Sequence, residues 1–87
     1  MKKVKKLLGK LIGLVYEVNT KKDTDIFIDY SPHINGMAIK IYKHGWNDEC
    51  EGGQYLKSDG KLSDDYETIV VNTDNLQRVI NTVKGYL

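Results

Sequence analysis

The chain has 87 residues, 40% hydrophobic and 29% charged, with a formal net charge of +1. That is enough for one thin-cored domain with little room for a deep active site, and the balance of apolar to charged residues excludes disorder of the low-hydrophobicity kind. The lone Cys50 excludes an intrachain disulfide and fits a reducing, cytoplasmic setting.

No apolar run approaches the roughly 18–20 residues that span a bilayer. Lys10 and Glu17 interrupt the only apolar stretch near the N-terminus, so a signal peptide is not expected, and no membrane is expected among the partners. The small net charge conceals an asymmetry. Residues 1–22 hold seven lysines and Glu17, a net +6; residues 23–87 hold six basic and eleven acidic residues, a net −5. A basic arm is joined to an acidic body, which points to electrostatic contact with partners.

Residues 2–18 read as an amphipathic helix. Val4, Leu7, Leu8, Leu11, Ile12, Leu14, Val15 and Val18 fall on one face at helical spacing, and Lys2, Lys3, Lys5, Lys6, Lys10 and Glu17 on the other. Gly9 and Gly13 share the polar face; they weaken the helix and leave room for a close approach. Ile26 to Tyr30 is a β-branched and aromatic run, hence a strand. Asn35-Gly36 predicts a two-residue hairpin turn with both residues at positive φ. Met37 to Lys43 is the return strand, with Met37, Ile39 and Ile41 on one face and Ala38, Lys40 and Tyr42 on the other.

Gly45, Gly52, Gly53 and Asp59-Gly60 break up residues 44–65, within which Gln54 to Lys57 suits a third strand. Tyr66 to Val71 predicts a fourth. A second helix follows, with Asp74 as N-cap, Gln77 three residues on as in a capping box, an apolar stripe of Leu76, Val79, Ile80 and Val83, and a stop at Gly85. The expected fold is α+β: one domain over residues 1–87, with an N-terminal helix, an antiparallel sheet of three to four strands and a C-terminal helix. Both helices pack on one sheet face, which leaves the other face partly solvated and open to contact.

Catalysis finds little footing. His33, His44, Asp48 and Cys50 make none of the spacings that hold a metal, so no metal or other cofactor is expected. Asp48, Glu49 and Glu51 surround Cys50 and would suppress its thiolate. Ser31 and Ser58 lack an activating partner, and Gly52-Gly53 is not followed by the Lys-Ser/Thr of a phosphate loop. No catalytic residue is assigned, and a non-enzyme is expected.

Surfaces are more informative. Asp48, Glu49, Glu51, Asp64, Asp65 and Glu67 form an acidic candidate face suited to a basic partner, with Trp46 and Tyr55 as aromatic anchors. Trp46, Tyr30, Tyr42 and Tyr55 fit either an exposed cluster or a cap on the core, the second being preferred. The alternative surface is the Lys-rich helix, Lys2, Lys3, Lys5, Lys6 and Lys10, facing nucleic acid or another anionic surface. A small structural subunit, completing its core as a homo-oligomer, is a further alternative.

The segments Asp25 to Asn35 and Ile41 to Trp46 resemble small proteins of Gram-positive bacteria and their phages, a hairpin ending in Gly-Trp. The recurrent turn residues map to Tyr30, His33, Asn35, Gly45 and Trp46, with Pro32 where a glycine is expected. The resemblance implies a mobile-element origin and a bacterial cytoplasm. Lys43 to Glu49, with the acidic stretch after it, is also similar to small anti-CRISPR inhibitors from phages, which mimic DNA through acidic residues. That similarity implies a host nuclease as partner, bound without catalysis.

Overall fold

The computed structural model describes residues 2–21, 23–45 and 52–87. Helix α1 runs Lys2–Lys21 and buries Leu11, Val15 and Val18. These three lie within about 60° of one another at ~100° per residue, and Val4, Leu7, Leu8 and Leu14 flank them, half-buried. Ile12 is the exception to the predicted face: it is 49% exposed. It sits one residue past the buried line, at the edge of the apolar face.

Strands β1 (Asp25–Ser31) and β2 (Gly36–Tyr42) form the antiparallel hairpin, registered from Asp25↔Tyr42 to Ser31↔Gly36. Its turn differs from the two-residue expectation. Pro32 opens a single 3-10 turn over Pro32–Ile34, and Asn35 alone takes the left-handed conformation, at φ 47°. Gly36 is already in the strand opposite Ser31. Proline at the first position of that turn suits its fixed φ.

Beyond β2 the sheet divides. Strand β3 (Gln54–Leu56) pairs with Lys40 and Ile41, and then with β4 (Leu62–Ser63). Strand β5 (Ile69–Val70) pairs with Gly36 and Met37 at the other end of β2. The predicted strand over Tyr66–Val71 is therefore only two residues long, pairing at the Gly36–Met37 end of β2. Asn35 fixes it there: its carbonyl accepts from Val71 N–H at 2.9 Å and its side-chain amide donates to the Val71 carbonyl at 3.2 Å.

Helix α2 (Thr73–Lys84) is capped by Asn72, whose side chain accepts the Asn75 N–H at 2.8 Å. Asp74, the predicted N-cap, instead lies in the first turn, where its charge favours the positive end of the helix dipole. Gly85 ends the helix in right-handed geometry. Leu76, Val79, Ile80 and Val83 join Leu11, Val15 and Val18 with Ile26, Met37, Ile39, Ile41, Leu56 and Ile69 in one core. Both helices thus lie on one side of the sheet, mainly against each other. Arg78 Nε donates to the Ser58 carbonyl at 2.9 Å and Thr82 Oγ1 to the Gly60 carbonyl at 2.7 Å, which ties α2 to the β3–β4 turn.

One contact joins the end of α1 to the sheet edge. Asn19 Nδ2 donates to the Ile26 carbonyl at 2.9 Å, and Ile26 N–H donates to Asn19 Oδ1 at 2.7 Å.

Candidate functional site

Alternation along the strands decides what the uncovered face presents. Ile26, Met37, Ile39, Ile41 and Leu56 point to the core. Phe27, Ala38, Lys40, Tyr42, Tyr55 and Val70 therefore point the other way, and cross-strand pairing brings Phe27 opposite Lys40 and Lys40 opposite Tyr55. The solvated side of an antiparallel sheet normally carries polar residues. Here it carries an aromatic row.

The row is continuous. Phe27 and Tyr42 meet edge to face with ring centroids 5.5 Å apart. Lys40 Nζ lies 5.3 Å from the Tyr42 centroid and 5.1 Å from that of Tyr55, within cation–π range of both. Tyr55 meets Tyr66 edge to face at 5.2 Å. Phe27 is 48% and Tyr66 65% exposed. The Lys40 ammonium lies between the Tyr42 and Tyr55 rings. Its pKa is raised above the ordinary lysine value by a hydrogen bond from its ammonium to the Tyr42 side chain, against a smaller opposing effect of burial.

Gly53 makes the row possible. A Cβ there would come within 2.6 Å of the Tyr42 ring and 2.7 Å of Lys40 Cε, so only glycine lets the chain pass this close without displacing them.

The acidic candidates divide. Asp64, Asp65 and Glu67 lie in the segment from β4 to β5, beside Tyr66. Asp64 and Asp65 are exposed; Asp64 Oδ1 accepts from Gln54 Nε2 at 3.2 Å. Glu67 is half-buried and its Oε2 accepts the Ser58 N–H at 3.3 Å, so this carboxylate is engaged in holding the β3–β4 turn. Trp46, Asp48, Glu49, Cys50 and Glu51 lie outside the described residues.

Tyr55 belongs to the open face together with Tyr42, not to the core as preferred from sequence; Tyr30 stands apart at the hairpin end, its hydroxyl 3.4 Å from Asn35 Oδ1. Phe27, Lys40 and Tyr66 were not singled out from the sequence. The signal for the first two was present in the alternation that buries Ile26, Ile39 and Ile41. Tyr66 comes to Tyr55 only through tertiary packing. On the far side of the molecule, Lys2, Lys3, Lys5, Lys6 and Lys10 are all exposed on α1.

Among the described residues there is no pocket and no group of three or more His, Cys, Asp or Glu side chains that could hold a metal ion. His33 and His44 are exposed at the hairpin end and after β2. Among the described residues no helix is long and apolar enough to cross a membrane. Comparison with protein-family models, with curated proteins and with solved structures finds no match in any of the three.

Proposed function

We propose that the chain is a non-catalytic binding domain that engages a partner protein through the open sheet face. The observation that carries this reading is the aromatic row Phe27–Tyr42–Lys40–Tyr55–Tyr66 on a surface the core does not need. Exposed aromatic side chains offer large contact area at low entropic cost, and tyrosine is enriched where interfaces carry their binding energy. Asp64 and Asp65 at the end of the row supply negative charge at the rim, which favours a basic partner and raises its association rate. The resemblance to phage proteins makes a basic host protein, such as a defence nuclease occluded at its nucleic-acid channel, the first class to test.

The test compares three baits in host lysate by quantitative mass spectrometry: the unaltered chain, Tyr55→Ala/Tyr66→Ala, and Asp64→Lys/Asp65→Lys. One captured protein should be lost from both variants, with loss from the second more complete at low salt. A protein retained equally by all three would refute the open face as the binding surface.

A further inference from the structure

We infer that the outward crest of α1 binds the phosphate backbone of duplex nucleic acid, without reading its sequence. This site is separate from the open sheet face. With the buried line at Leu11, Val15 and Val18, the direction pointing away from the domain holds Lys2, Lys6, Gly9, Gly13, Tyr16 and Thr20 at ~100° per residue, with Lys5 to one side and Glu17, near its C-terminal end, to the other. Lys3 and Lys10 flank it.

Charge complementarity selects the ligand. Five exposed lysines lie between Lys2 and Lys10, about 12 Å along the axis at ~1.5 Å per residue. Over that length a duplex presents roughly seven phosphate charges, at one per ~1.7 Å. The N-terminal end of the helix adds its own positive potential. The next turns are bare: a Cβ built on Gly9 or Gly13 meets nothing within 4 Å. A broad anionic surface can therefore approach the helix backbone with lysines to either side.

Other anionic partners fit less well. An interfacial membrane helix needs a free apolar face, but Leu7, Leu8, Leu11, Leu14, Val15 and Val18 are committed to the core, which leaves Ile12 and Tyr16. Protein interfaces are depleted in lysine, whereas an ammonium binds phosphate as a point charge. A single strand would call for stacking surfaces, and the aromatic row lies on the opposite side of the sheet. The crest has no Arg, Asn or Gln, and its lysines are assigned to phosphates, which they bind as point charges. The net −5 of residues 23–87 orients the duplex toward α1 by repelling it elsewhere.

The experiment is fluorescence anisotropy with a labelled DNA duplex of about 20 base pairs and arbitrary sequence, titrated from about 50 to 200 mM salt. Five phosphate contacts predict that affinity falls roughly 500-fold over this range. In Lys5→Ala/Lys6→Ala, with circular dichroism as the check that the helix is retained, the fall should shrink to roughly 40-fold. Tyr55→Ala/Tyr66→Ala should leave duplex binding unchanged, so this result and that of the partner capture are independent. The inference is overturned by absence of binding at ~20 mM salt, by an unchanged salt slope in the lysine variant, or by binding to phosphatidylglycerol vesicles without binding to the duplex.

Discussion

Leu11 and Ile12 are adjacent and both apolar, and helical spacing alone put both on the buried face. The structure separates them: Leu11 is 0% exposed in the α1–α2 interface and Ile12 is 49% exposed. Leu11→Ala removes buried side-chain carbons and leaves a cavity that the surrounding core cannot fully close, a change that costs about 2–5 kcal/mol. A domain of this length is stabilised by about 4–13 kcal/mol in total, so the loss is a large fraction of it. At about 4–8 °C per kcal/mol for a domain of this size, the melting midpoint should fall by roughly 8–40 °C. Ile12→Ala removes carbons that are half in water already, and alanine recovers about 0.4 kcal/mol in helix propensity. Its midpoint should move by less than about 5 °C. Thermal melts followed by far-ultraviolet circular dichroism measure both. Equal losses for the two variants would show that α1 is rotated about its axis from the orientation described, and the lysine crest would move with it.

Asn72→Ala should cost about 1 kcal/mol by leaving the Asn75 N–H without its cap, whereas Asp74→Ala should cost less, since it gives up only a charge–dipole interaction; denaturant titration of the two variants checks the order. Tyr42→Phe removes the partner that holds up the Lys40 pKa, so in an NMR titration the Lys40 ammonium should lose its proton at lower pH than in the unaltered chain. The sign follows from the raised folded-state value: the contribution of Lys40 to stability is complete below the ordinary lysine range and fades as pH climbs through the raised value.

Local signals were readable where they depended on one element. The helical spacing of Leu7, Leu11, Val15 and Val18 was enough to define α1, and the alternation of Met37, Ile39 and Ile41 was enough to define β2. What depended on two elements was not readable. Ile12 lies at the boundary of its face, and only the placement of α2 decides its exposure. The strand through Tyr66–Val71 has adequate β propensity, but β3 already pairs with Lys40 and Ile41, and β5 pairs with Gly36 and Met37 alone. Asn72, Thr73 and Asp74 are all good capping residues; the contact from Asn72 to Asn75 N–H decides among them. For the site, Tyr55, Asp64 and Asp65 stood out in the sequence as aromatic or charged, whereas Phe27 and Lys40 acquire meaning only when β1, β2 and β3 stand side by side. Glu67 looked like surface charge and proves to be held by the Ser58 N–H, a contact that exists only once the chain between them has folded back on itself.

The paired contact between Asn19 and Ile26 bears on how the chain behaves before it is fully folded. In an outer strand, one residue's N–H and C=O point together to the same side, so Asn19 satisfies both groups of Ile26 as a neighbouring strand would. By alternation, Ile28 and Tyr30 direct the same groups outward along β1. The side chain that blocks this edge belongs to α1, so docking of the helix and protection of the strand are one event. An intermediate with the hairpin formed and α1 still detached would expose the outer edge of β1 together with the apolar Ile26 and Ile28. Self-association of the chain should therefore track the detachment of its first helix rather than global unfolding.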